Sequence, residues 1–158
     1  MSRIKDDLEV GNDGWILTSS GRKFYPLDPR ECDICITDIA HALAASPRFT
    51  GHAREPYSVA QHSVMVSDLY ERTTGDRRCG LRGLLHDASE AYIADVSRPL
   101  KRQEEFRAYR EAERRLQRMI YLKFGLDPDI DDRLMKQIDR RVLATERRDL
   151  MPPCDEWY

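Results

Sequence analysis

The sequence predicts an all-α fold with a short β-hairpin at its N-terminal end, on three observations. Apolar residues recur at the 3.6-residue period in five segments beyond Pro29. The residues between those segments are helix caps and breakers rather than strand turns. Composition agrees: 34% of residues are charged and 41% apolar, with a mean hydropathy of −0.67, the balance of a charge-coated chain that still has enough apolar residues for a core.

The 158 residues fit a single domain, 1–158, with a hairpin extension over 1–30 and a helical core over 37–150. The 26 basic and 28 acidic residues leave a net charge of −2, which gives no bulk electrostatic reason to hold nucleic acid or an anionic membrane. The spacing of Cys32, Cys35, Cys79 and Cys154 shows no secreted disulfide framework. MSRIKDDLEVGNDGW has no apolar leader, and no window approaches the roughly 18 apolar residues of a membrane span. A cytoplasmic protein is expected.

Trp15–Thr18 and Arg22–Tyr25 read as strands around Ser19-Ser20-Gly21, where glycine supplies the positive φ of a three-residue hairpin. Pro26-Leu27-Asp28-Pro29 breaks regular structure. Thr37-Asp38 is expected to cap a first helix carrying Ile39, Ala40, Leu43 and Ala44. After a polar loop, Ser46 to Tyr57, Ser58 and Gln61 form a capping box for a second helix with Val59, His62, Val66 and Leu69 on one face and Met65 beside them. Gly75-Asp76 opens a third, with Leu81, Leu84, Leu85 and Ala88 as its buried stripe. Pro99 starts a long fourth helix through Phe106, Tyr109, Leu116, Ile120 and Phe124, closed by Gly125. Asp127-Pro128 opens a fifth with Ile130, Leu134, Ile138 and Val142, and Pro152-Pro153 ends it. The basic residues of the fourth helix alternate with acids, Glu111 and Arg115 forming an i,i+4 pair, as on a solvated face.

Of the four histidines, His62 and His86 interrupt apolar helical faces, where a histidine is ordinarily a hydrogen-bonded core residue. Asp87, directly after His86, changes that balance, because a carboxylate at the end of an apolar stripe is costly to bury without a cation or donors. Two imidazoles and a carboxylate from different helices make a mixed nitrogen–oxygen site for one divalent ion: Co, Mn, Zn, Fe or Ni, with Mg as a further option. A fourth, acidic ligand is expected from Asp139, beside Ile138 and Val142, with Asp149 as the competing choice. Cys32-x-x-Cys35 lacks a second pair, which disfavours a structural zinc. His41 and His52 stay unassigned.

The set His62, His86-Asp87 and Asp139 resembles the HD superfamily of metal-dependent phosphohydrolases. HDASEAYIADVSRPLK, His86 to Lys101, closely resembles the signature of bacterial 5′-deoxynucleotidases. YSVAQHS and DRRVLATERRDL are similar to segments of small phage-type HD phosphohydrolases, including dATP triphosphohydrolases. The resemblance covers roughly residues 37–150. It implies an HD helical bundle with catalytic Glu90 and Asp95, and with Lys101 as a substrate-side lysine. The deoxynucleotidases carry an Arg-Trp pair ahead of the first metal histidine, for phosphate contact and 2′-hydroxyl exclusion. Arg48-Phe49 stands here one residue closer to His62, with Phe in place of Trp. Homo-oligomers are also implied, and a host-cytoplasmic location if the chain is phage-encoded.

Phosphate hydrolysis needs an activated water, charge neutralisation and positioning. Because Glu90 and Asp95 add negative charge, a phosphate needs facing cations: Arg48, Lys101 and, more weakly, Arg98. Glu90 is expected to accept the water's proton, and Asp95 either to protonate the leaving oxygen or to fix the sugar. The expected substrates are deoxynucleoside mono- or triphosphates. A cyclic-nucleotide or (p)ppGpp phosphodiesterase, or a non-catalytic nucleotide-binding module, are the alternatives.

Overall fold

In the computed structural model residues 14–154 are described; the start of the expected extension, with the stretch read as lacking a leader, and residues 155–158 lie outside them. A minimal antiparallel hairpin, β1 (Ile16–Leu17) and β2 (Lys23–Phe24), pairs Ile16 with Phe24. Its turn is closed by Gly21 N–H donating to the Thr18 carbonyl at 2.9 Å, with Gly21 at φ 80°. The strands are shorter than the sequence suggests, and the hairpin is fixed by two anchors. Phe24 is fully buried and stacks on Tyr92 at 3.8 Å between ring centroids. Ser19 and Ser20 donate three hydrogen bonds of 2.7–2.8 Å to the buried Asp38 carboxylate. Burial pushes that carboxyl up, and these donors more than offset it, holding Asp38 below the usual carboxylate range. Asp38 is therefore the hairpin's anchor, not a cap: helix α1 (Ile36–Ala45) starts earlier, with Cys35 at its N-cap.

The Ser46–Tyr57 loop is closed at its neck by Arg48 N–H donating to the Tyr57 carbonyl and Val59 N–H to that of Ser46, at 2.8 and 2.9 Å. Within it a single 3-10 turn, Arg48–Gly51, carries Phe49 and Thr50 in left-handed backbone, φ 53° each. Helix α2 (Val59–Thr74) opens on the expected capping box, Ser58 Oγ accepting from Gln61 N–H while the Gln61 side chain accepts from Ser58 N–H. Gly75, in left-handed backbone, closes α2 rather than opening the next helix, and Asp76 alone caps α3 (Arg77–Leu84). Leu84 faces out of α3, while Gly80, Arg82 and Gly83 face in. A Cβ at Gly83 would lie 3.1 Å from Ser67 Cα and 3.2 Å from the Val66 carbonyl, so glycine is what lets α3 lie directly on the α2 backbone.

The long fourth helix is broken. Short helices α4 (Glu90–Ile93) and α5 (Arg98–Lys101) precede a 3-10 turn, Glu104–Phe106, and then α6 (Arg107–Lys123). Pro99 does sit in the first turn of α5. The break after α5 is held by Arg110, whose Nη1 donates to the carbonyls of Lys101 and Gln103, both at 2.6 Å. Glu111 pairs with Arg107 at 3.0 Å, not with Arg115. Helix α6 ends in a Schellman turn: Leu126 N–H reaches the Tyr121 carbonyl, Gly125 N–H reaches that of Leu122, and Gly125 has φ 70°.

Helix α7 (Arg133–Leu150) starts five residues beyond Pro128, with Asp132 at its N-cap, so Ile130 precedes the helix; Ile130 and Leu134 are exposed. Asp132 also accepts from Tyr70 Oη on α2 at 2.7 Å and pairs with buried Arg82 on α3. That junction ties the start of α7 to both helices; Asp127 is tied to α3 as well, its carbonyl accepting from Arg82 Nη2 at 2.6 Å. Two apolar clusters result, one around Phe24, Leu85, Leu116 and Ile120, the other joining Val66 and Tyr70 to Ile138 and Val142. No described helix is long and apolar enough to cross a membrane. Gly83→Ala should push α3 off α2 and lower stability by about 1–3 kcal/mol; a urea midpoint equal to wild type would contradict this close approach.

Candidate metal centre

Helix α2 carries Val59 into the first apolar cluster and Val66 into the second, and His62 lies between them with no exposed surface. His86 and Asp87 follow α3 in the turns that lead to α4, where Glu90 N–H donates to the Asp87 carbonyl at 3.0 Å. Asp139 comes from α7, on the face that also buries Ile138, Val142 and Glu146. One donor atom from each of His62, His86 and Asp87 lies within 4.8 Å of the others, the sole such His/Cys/Asp/Glu group among the described residues. Asp139 Oδ1 is 3.2 Å from His62 Nε2 and 3.9 Å from His86 Nε2. His62, His86 and Asp87 are thus brought together, with Asp139 beside both imidazoles though outside that group. Asp149 is not: it is exposed and paired with Arg148 at 2.6 Å.

The outer nitrogens decide how this cluster can be used. His62 Nδ1 is 2.8 Å from Glu146 Oε1, and His86 Nδ1 is 2.7 Å from the Gly83 carbonyl. Both neighbours are acceptors at neutral pH, so each Nδ1 keeps its proton, and each Nε2 is left to hold either a second proton or, once that proton leaves, a metal. Those two Nε2 atoms are buried without a hydrogen-bond partner, and both lie 3.1–3.9 Å from oxygens of Asp87 and Asp139. Imidazoles held at Nδ1, with their Nε2 atoms and carboxylates converging, are the donor set of a divalent transition-metal site once the Nε2 protons leave. The residues fit such an ion.

Electrostatics agree. Burial lowers the His86 pKa, but Asp87 and Asp139 outweigh it and raise it to about 9. His62 is likewise raised, burial being outweighed by Asp139 and Glu146. Asp87 is held well below the usual range, its burial outweighed by His86 and His62, and Asp139 is lowered as well. The cluster thus calls for positive charge, from protons or from a metal.

Glu90 begins α4 beside this group, and one of its oxygens is buried without a partner. Burial and the neighbouring Asp87 and Asp95 raise its pKa to about 8, against the pull of Lys101. Lys101 Nζ, from α5, sits 3.4 Å from Glu90, 4.0 Å from Asp95 and 2.6 Å from Glu113 of α6. Asp95 is partly open to solvent and follows Ala94, whose φ of 66° is strained for a residue with a Cβ. The Ala94 carbonyl is held by Tyr109 Oη at 2.6 Å. Arg48 is mostly buried, its Nη2 3.2 Å from Glu146, and it feels Asp87 and Asp95 as well. The Phe49 ring lies 5.6 Å from that guanidinium. Arg98 is exposed at the start of α5, and His41 and His52 are exposed away from the cluster.

Two residues of this neighbourhood have no site role in the sequence pattern, Glu113 reading there only as one of the acids on a solvated helix face. Glu146 lies two turns after Asp139, on the face of Ile138 and Val142, and that periodicity could have found it. Glu113 had no signal of its own, because only the break before α6 turns Lys101 back onto it.

Chelated protein should show the charge balance directly. A His86 pKa raised from 6.5 to about 9 contributes stability that is complete below pH 6.5 and lost as pH rises through 9. Ionising buried Glu90 as pH rises toward 8 acts in the same direction. The melting temperature in chelator should therefore fall between pH 6.5 and 9, while affinity for Co²⁺ rises over that range because protons and metal compete. A melting temperature that climbs with pH in chelator would contradict the assignment.

No family model matches the chain. It is 40% identical over 136 residues to the uncharacterized protein YfdR of Escherichia coli (strain K12), covering 86% of this chain and 72% of that one. It is also 40% identical over 116 residues to an uncharacterized protein of Rhodobacter capsulatus, covering 71% of this chain and 59% of that relative. With this identity sustained over most of both partners, the chain belongs to the family of YfdR.

Proposed function

We propose that the chain is an HD-type, metal-dependent phosphohydrolase whose substrates are deoxynucleoside phosphates. One observation carries the reading: two buried imidazoles, each held at Nδ1, aim their Nε2 atoms at oxygens of Asp87 and Asp139, an arrangement that needs a proton or a cation between them. His62, His86, Asp87 and Asp139 would hold the ion. A divalent cation bound there supplies Lewis acidity toward a phosphate oxygen and makes a water acidic enough to lose its proton near neutral pH.

The chain's own residues do the rest. Glu90, raised to about 8, accepts the water's proton at the buried carboxylate oxygen that has no other partner. Lys101 neutralises Glu90 and Asp95 in part, so that a phosphate is not repelled by them. Arg48 adds the second cation and lies beside Phe49, against which a base or sugar can pack. Asp95, more open than Glu90, is placed to protonate a leaving oxygen or hold a sugar hydroxyl. A homo-oligomer belongs to the same reading by resemblance, and a cytoplasmic location by the cysteine spacing.

Purified protein incubated with Co²⁺ or Mn²⁺ and a panel of nucleoside and deoxynucleoside mono- and triphosphates should release phosphate, pyrophosphate or triphosphate. No turnover of any nucleotide with any divalent ion would remove the proposal. Glu90→Gln should keep Co²⁺ binding and lose turnover by on the order of 10²–10⁴, the range of a proton-transfer group. The wild-type rate should fall as pH is lowered, since a base must be deprotonated to act. A Glu90→Gln variant with wild-type turnover would remove that role.

A further inference from the structure

Glu146 belongs to neither the ligand set nor the proton-transfer pair, yet it is among the most buried charged residues described, 2% exposed. Each of its oxygens is committed to a different side of the site. Oε1 is 2.8 Å from Nδ1 of His62, and Oε2 accepts from Nη2 of Arg48 at 3.2 Å. The three residues come from three separate elements: α7, α2 and the left-handed turn at Arg48–Gly51. Burial pushes the carboxyl up, but His62 and Arg48 outweigh it and keep Glu146 ionised.

We propose that Glu146 is a positioning residue that couples the two halves of the site, holding the metal-side imidazole of His62 with one oxygen and the phosphate-side guanidinium of Arg48 with the other. This rests on the reading of the site as a phosphohydrolase centre and extends it. Geometry gives the reason. A carboxylate this buried cannot turn to water, so any shift toward one donor is a shift away from the other. Arg48 feels Asp87 and Asp95, and its Nε is buried with no hydrogen-bond partner. Without Glu146 the guanidinium has nothing to hold it at the pocket edge and is drawn toward those carboxylates. A substrate phosphate would then meet a cation already engaged, and His62 would lose the acceptor that fixes its proton on Nδ1.

The test is a double-variant cycle by calorimetry, with Co²⁺ as one probe and inorganic phosphate on the Co²⁺-loaded protein as the other. Wild type, Glu146→Gln, Arg48→Ala and the double variant are compared. An amide has a single acceptor oxygen, so Glu146→Gln keeps at most one link. It should weaken Co²⁺ about 10–100-fold, as loss of a partner to a metal-bound histidine does. It should also weaken phosphate by roughly tenfold, the value of one charged hydrogen bond. Arg48→Ala should weaken phosphate at least as much and Co²⁺ far less. The double variant should lose no more phosphate affinity than Arg48→Ala alone, because Glu146 reaches phosphate through Arg48. Additive phosphate losses, or Glu146→Gln with wild-type affinity for either probe, overturn the coupling. Should Glu146→Gln not fold, Glu146→Asp serves: it keeps the charge but is one methylene short of spanning both donors, so retention of both affinities overturns the proposal. A wild-type protein that binds no Co²⁺ removes the phosphohydrolase reading and this coupling together. One that binds Co²⁺ and hydrolyses nucleotides, with variants indistinguishable from it, removes the coupling alone.

Discussion

The structure is organised around a buried imidazole that must be satisfied at both nitrogens. His62 sits where the two apolar clusters meet on α2, between Val59 and Val66, with no exposed surface. A polar ring there is costly unless each nitrogen has a partner. Glu146 answers Nδ1, and Nε2 faces the oxygens of Asp87 and Asp139. Those carboxylates create the next problem, because negative charge near an apolar core itself needs a cation. The placement of α3 and α7 against α2 is what brings these groups together. Gly83 lets α3 lie directly on the α2 backbone, and the junction of Arg82, Asp132 and Tyr70 fixes where α7 begins.

From that constraint the rest of the site follows as a charge arrangement. Asp87 and Asp139 favour protons or a metal on the imidazole side. Glu90, crowded by Asp87 and Asp95, is driven the other way, toward the protonated state. Asp87 and Glu90, three residues apart, are thus pushed in opposite directions, the divergence that the proposed roles of ligand and base require. Lys101 moderates the second group without removing it, since it shares its charge with Glu113. Arg48 is restrained by Glu146 in the same manner on the opposite side.

Much of this was legible in the sequence where the signal is local. The capping box at Ser58, the Schellman glycine at Gly125 and the cluster of His62, His86 and Asp87 with Asp139 nearby all follow from short-range patterns. Asp139 neighbours Ile138 and Val142 and approaches both imidazoles, whereas Asp149 is exposed and paired with Arg148. What escaped depends on contacts distant in sequence. Asp38 reads as a cap until the hairpin's serines are placed on it. Asp127-Pro128 is a helix start by its chemistry, yet Arg82 takes only the backbone carbonyl of Asp127, while Arg82 and Tyr70 both hold the carboxylate of Asp132, which caps the helix. The apolar rhythm from Pro99 to Phe124 suggests one helix, but Arg110 captures carbonyls at the end of α5 and breaks it. Glu113 acquires its partner only through that break.

X-ray absorption at the cobalt K-edge, on protein stripped by chelator and reloaded with one equivalent of Co²⁺, tests the central claim most directly. A first coordination sphere containing two imidazole nitrogens, with oxygens making up the rest, is expected from His62, His86, Asp87 and Asp139. A sphere of oxygens alone, or protein that retains no cobalt, would contradict it.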